Sequence, residues 1–153
     1  MSCIVRGDLM KRDLSGSLVL DASVLIEALF LSPMGLRLVE AMEKDSVIAY
    51  TTESNVAELR YIACRRLGLI ESKERVDRLL ASGYIHVEDT SFLIEDAARL
   101  KCERAISLAD CFCLALARRL AFKAFFARRE DELVREMRKN PFDVEVLFLE
   151  DFK

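Results

Sequence analysis

The chain has 153 residues, 52% hydrophobic and 32% charged, with 5 Gly, 2 Pro and a formal net charge of −3. That length holds one domain, and the composition excludes a disordered chain, a collagen-like repeat and a general nucleic-acid coat. Charges interrupt every long apolar stretch, so no run of about 18 apolar residues is present to cross a membrane.

The opening stretch MSCIVRGDLMKRDLSGS lacks an apolar core of secretory length, so residues 1–16 are read as a tail before a domain at 17–153. A cytoplasmic location is expected. Residues 17–21 (SLVLD) read as a short buried strand and 22–31 as a helix that follows at once. Pro33 opens a helix to about residue 44, with Leu36, Val39 and Met42 on one face. Residues 47–50 are the next strand. Thr51, Thr52 and Ser54 offer caps for a helix ending at Gly68, whose core stripe would be Val56, Leu59, Ala63 and Leu67. A helix at 72–82 stops at Gly83, and a strand at 84–87 follows. Helices at 91–104 and 107–121, a strand at 123–127, a helix at 130–139 and a strand at 144–148 complete the chain.

Short apolar strands alternating with helices predict a doubly wound α/β domain, its parallel sheet covered on both faces. In such sheets, ligands bind beyond the carboxyl ends of the strands, where the strand order reverses. Asp21, Thr51, Thr52 and the segment 128–132 fall at such ends. Neither GxGxxG nor GxxxxGK[ST] occurs, so no dinucleotide or P-loop phosphate site is indicated.

The five cysteines, Cys3, Cys64, Cys102, Cys111 and Cys113, are odd in number and poorly spaced for zinc, and they read as small buried hydrophobes. His86 is the only histidine, which excludes a two-His metal site. Charge is unevenly spread: residues 1–98 carry 11 Lys+Arg against 16 Asp+Glu, and residues 99–139 carry 11 against 6. The second zone, with Arg118, Arg119, Lys123, Arg128, Arg129, Arg135, Arg138 and Lys139, suits either a polyanion or a solvated helix face.

The carboxylates are more telling. In LADCFCLALA (108–117), Asp110 is the only ionisable group apart from the thiols of Cys111 and Cys113. A carboxylate near the start of a buried helix must be hydrogen-bonded, protonated or paired. Ser107-x-x-Asp110 also fits a capping box, and Asp21 fits an N-cap. Glu58 lies at the border of its helix's buried stripe, and Glu27 is a boundary residue within VLIEALFL. Asp21, Glu58, Asp110 and an acid after the fourth strand would converge on one crevice. Crowded carboxylates require a cation, and oxygen ligands alone select Mg²⁺ or Mn²⁺. Such an ion polarises a phosphate and acidifies a water for in-line phosphodiester attack.

At these residues the sequence resembles the PIN-domain nucleases, and within them the VapC-like toxins of toxin–antitoxin pairs. LVLDASVLIEALF, TTESNVAELRYIACRRLG, ISLADCFCLALARRL and KAFFARREDEL match in the family's order, over about residues 17–135. The resemblance implies that Asp21, Glu58 and Asp110 are metal ligands that orient the attacking water. Family members usually place a Thr or Ser with an Asp shortly after the fourth strand, whereas this chain has Ala127-Arg128-Arg129-Glu130-Asp131. Glu130 is the expected fourth acid, with Asp131 the fallback. Arg128 and Arg129 beside it suit phosphate contacts.

The resemblance further implies a five-stranded sheet, an RNA substrate, a homodimer and a small antitoxin partner. A PIN-like nuclease of RNA maturation without an antitoxin, and a catalytically degraded PIN-like binding module, are the alternatives. Dehalogenase-type phosphatases and receiver domains fit poorly, because Ser23 replaces the second Asp of DxD and only Asp21 stands after the first strand.

Overall fold

The computed structural model describes residues 13–152. In chain order the elements are β1 (Gly16–Leu20), α1 (Ala22–Leu29), α2 (Pro33–Glu43), β2 (Val47–Thr52), α3 (Glu53–Leu67), α4 (Leu69–Ala81) and β3 (Ile85–Glu88). A 3-10 turn (Ser91–Leu93) leads into α5 (Ile94–Glu103) and α6 (Leu108–Leu120). Then come β4 (Lys123–Phe126), α7 (Asp131–Lys139), β5 (Val146–Phe148) and a 3-10 turn (Leu149–Asp151).

The five strands form one parallel sheet in the order β3-β2-β1-β4-β5, the doubly wound arrangement expected. The chain winds outward from β1 through β2 to β3, then returns to β4 on the other side. The switch point therefore lies between the carboxyl ends of β1 and β4. Asp21 stands there, its backbone N–H donating to the Phe125 carbonyl at 2.9 Å.

β1 is buried on both faces because its side chains alternate between two cores. Leu18 and Leu20 join the apolar faces of α1, α2, α3 and α4, while Val19 meets α5, α6 and α7 with Ala124 and Phe126. Removing this apolar surface from water is the main stabilising term. Among the described residues, no single helix is long and apolar enough to cross a membrane.

Several expectations shift. Leu36 is 45% exposed, and α2 instead buries Gly35, Leu38, Ala41 and Met42. The cause is close approach: a Cβ on Gly35 would lie 1.8 Å from the Glu27 carbonyl oxygen, so this glycine sets which face of α2 meets α1. On α3 the buried set is Asn55, Leu59 and Ala63, with Val56 and Leu67 only half-buried. Gly68, at φ +84°, ends α3 and immediately precedes α4, which begins at Leu69 rather than at residue 72. The helix expected at 91–104 starts as a 3-10 turn, and β5 begins at Val146 rather than at residue 144. Cys111 and Cys113 are buried as expected, but Cys64 is half-buried and Cys102 is exposed, while Cys3 lies outside the described residues.

Candidate metal and nuclease site

Asp21 performs two tasks. As the N-cap of α1, its Oδ2 accepts from the Ser23 backbone N–H at 3.0 Å. Its Oδ1 is buried and has no hydrogen-bond partner among the described residues. A buried carboxylate oxygen without a donor is costly, and such groups concentrate where a ligand is to be met.

Asp110 also combines the two readings. Ser107 caps α6 and accepts from the Asp110 backbone N–H at 3.1 Å, so the cap exists. It does not satisfy the carboxyl. Burial, then the neighbouring Asp21 carboxylate and the charge of Glu130, push Asp110 up to about 8.

Glu58 is half-buried one turn into α3, and burial followed by the charges of Asp21 and Glu130 raises its carboxyl above the ordinary range. Glu130 is exposed at the N-cap of α7, and burial of its carboxyl, Asp21 and Glu132 raise it as well. The Asp21 charge thus reaches Glu58, Asp110 and Glu130, three carboxyls from three other elements. Asp131, the first residue of α7, is exposed and is not among the charges acting on Glu58 or Asp110.

Among the described residues, no three His, Cys, Asp or Glu side chains stand close enough to hold a metal ion as a set. The four carboxylates are therefore electrostatic neighbours rather than a closed cage. Their chemistry still fits a hard divalent cation: every donor is oxygen, and the central one, Asp21 Oδ1, is bare.

Asn55, which the sequence reading passed over, builds the frame together with Thr51 and Ser23. Asn55 is fully buried, and its Oδ1 accepts from the Ala22 N–H at 3.0 Å while its Nδ2 donates to Thr52 Oγ1 at 2.8 Å. Thr51 Oγ1 donates to the Leu20 carbonyl at 2.8 Å. These bonds tie the ends of β1 and β2 together and hold the Asp21–Ala22 peptide in place. The available signal was Thr52-x-x-Asn55, a polar pair at capping-box spacing that ordinarily reads as a helix start. Ser23 adds the third side, its Oγ accepting from the Ala127 N–H at 3.0 Å. A hydroxyl from α1 thereby reaches the end of β4, where the chain's own fourth motif has none.

The arginines differ from the simple expectation of free phosphate contacts. Arg128 pairs with Glu27 at 2.8 Å. Although burial opposes it, hydrogen bonds from Ser32 and Arg128 and the charges of Arg128 and Arg66 hold the Glu27 carboxyl below its ordinary value. Arg129 pairs with Glu150 at 3.0 Å and with Asp151, and its guanidinium lies 4.6 Å from the Phe148 ring centroid. Arg129 is thus a strut between the β4 loop and the C-terminal turn.

A family profile for the PIN domain matches residues 18–139. The chain belongs to the PIN-domain family. No curated protein matches the sequence. Among solved structures, the chain is similar to a toxin–antitoxin complex from Klebsiella pneumoniae, with TM-score 0.60, 14% identity and coverage of 86% of this chain and 97% of that one. It is also similar to VapC20 of Mycobacterium tuberculosis, a sarcin-ricin loop cleaving toxin, with TM-score 0.61, 18% identity and coverage of 77% and 94%. A third is FitAcB from Neisseria gonorrhoeae, with TM-score 0.56, 19% identity and coverage of 86% and 97%. At these identities the likeness is one of fold. This PIN domain is thus related in architecture to VapC-like toxin–antitoxin proteins.

Proposed function

We propose that this PIN domain is a Mg²⁺- or Mn²⁺-dependent endoribonuclease and acts as the toxin of a toxin–antitoxin pair. The observation that carries the reading is the bare, buried Oδ1 of Asp21, whose charge raises the carboxyls of Glu58, Asp110 and Glu130 around it. Family membership and the toxin relatives support it. A homodimer and a small antitoxin that covers the site are part of the same proposal.

Asp21, Asp110, Glu58 and Glu130 would hold the divalent ion, which polarises the scissile phosphate and lowers the pKa of water. Asp110, protonated up to about pH 8 without an ion, would release its proton to serve as a ligand. Glu58 is the half-buried carboxylate whose raised basicity suits it to accept a proton from the attacking water. Asn55 and Thr51 fix the β1–α1 corner so that Asp21 is held in place before substrate arrives.

Incubation of RNA with the wild-type protein and Asp110→Asn, each with Mn²⁺, Mg²⁺ or EDTA, tests this. Metal-dependent cleavage that disappears in the folded variant is the expected outcome. A protein that neither cleaves RNA nor binds metal is instead a PIN-like binding module, the reading favoured by the missing hydroxyl after β4.

A further inference from the structure

Tyr61 stands one turn beyond Glu58 on α3 and is 47% exposed. Residues three apart share a helix face, so the ring lies on the side of α3 that carries Glu58. Tyr61 lies near enough to Glu58 to lower its carboxyl against the effect of burial, which sets the ring beside the acids. The Arg65 guanidinium lies 5.0 Å from the ring centroid, and Arg65 forms no ion pair among the described residues. Arg66, the next residue, lies over Phe30 and adds positive charge toward Glu27.

This arrangement has no core-packing purpose, because nearly half of the Tyr61 surface faces water. With nearly half its surface open, Tyr61 offers a ligand the flat of its ring. The neighbouring carboxylates repel a phosphate from that spot, while Arg65 and Arg66 attract one a turn farther along α3. An aromatic face beside a carboxylate cluster, backed by guanidinium, suits a planar base joined to phosphates.

We propose that Tyr61, backed by Arg65, is a stacking shelf for an unpaired nucleobase next to the phosphodiester at the acid cluster. The proposal rests on the nuclease reading for the position of the scissile bond. Bases in a duplex are already stacked on their neighbours and have no free face to give, so the shelf discriminates against paired RNA. Tyr61 acts here as a positioning residue for the substrate.

The test uses full-length Asp110→Asn protein with Mg²⁺ and a short labelled RNA carrying 2-aminopurine, either single-stranded or annealed to its complement. Anisotropy reads affinity, and quenching of 2-aminopurine reads stacking. The single strand should bind more tightly than the duplex and be quenched. Adding Tyr61→Ala should weaken single-strand binding roughly 5- to 150-fold, as the loss of one stacked base does. Adding Tyr61→Phe should keep both affinity and quenching. Unchanged binding in Tyr61→Ala, no RNA binding at all, or equal losses in Phe and Ala would overturn the shelf; the last would assign Tyr61 only its effect on Glu58. Cleavage by the otherwise wild-type protein separates the two claims. Intact cleavage with an inert Tyr61→Ala removes the shelf alone, and quenching at Tyr61 without any cleavage removes the nuclease reading alone.

Discussion

Asp110 and Asp21 come together from a helix start and a strand end far apart in the chain, and within the fold the Asp21 charge bears directly on the Asp110 carboxyl. Burial and then the Asp21 charge push the Asp110 carboxyl from its ordinary 3.8 up to about 8. A negative charge held that close opposes a second one, so Asp110 keeps its proton to higher pH.

A pH dependence follows. Between about pH 4 and 8 the folded chain binds the Asp110 proton and the unfolded chain does not, so folding stability falls as pH rises through that window. Glu58 and Glu130, both raised, add slope of the same sign. In EDTA, the melting temperature of the wild type should decline from mildly acidic pH toward pH 8. Asp110→Asn should flatten the decline and be more stable at pH 8 by on the order of 1–2 kcal/mol. A wild-type melting temperature that rises across this range would contradict the placement of Asp110.

Asn55→Ala removes the acceptor for Ala22 N–H and the donor to Thr52 Oγ1, both buried. Stability should fall by about 1–3 kcal/mol, as for other unsatisfied buried polar groups. RNA cleavage per folded molecule should fall more than roughly 10-fold, because small misplacements at a reacting site are costly. Denaturant melts and rates measured on the same preparation separate the two effects.

The layered architecture was legible because strand and helix periodicities are local properties. The misplaced faces came from long-range geometry. Nothing near Leu36 in sequence announces that Gly35 must lie against the Glu27 backbone. Asp21 and Asp110 stood out as carboxyls beside apolar runs, whereas Asn55 looks like any polar residue near a helix start until the fold brings Ala22 to it. Arg129 looked identical in kind to Arg128, and only the C-terminal turn, with Glu150 and Asp151, makes it a strut.

That contrast makes Arg128→Ala and Arg129→Ala a matched pair. Arg128 is 58% exposed but pairs with the mostly buried Glu27, so its loss should lower stability by about 1 kcal/mol while weakening RNA binding and reducing the salt slope by about 1. Arg129→Ala should leave the salt slope unchanged and lower stability by up to about 1 kcal/mol. Equal salt slopes for both variants would return Arg129 to the phosphate-contacting set.

Gly35→Ala should destabilise the fold by about 3 kcal/mol, since α1 and α2 must separate to admit the methyl group. Chemical denaturation reads this directly. A neutral effect would show that the helices are not in that contact.

The most direct measurement is calorimetric titration of Mn²⁺ into the wild type, Asp21→Asn and Asp110→Asn at pH 7, each in two buffers of different ionisation heat. The account predicts one carboxylate-dependent site in the wild type, with buffer-dependent heat because binding expels the Asp110 proton. Both variants should bind at least about 10-fold more weakly, and Asp110→Asn should lose the buffer dependence. Equal Mn²⁺ affinity in all three folded proteins would contradict the acid cluster as the metal site.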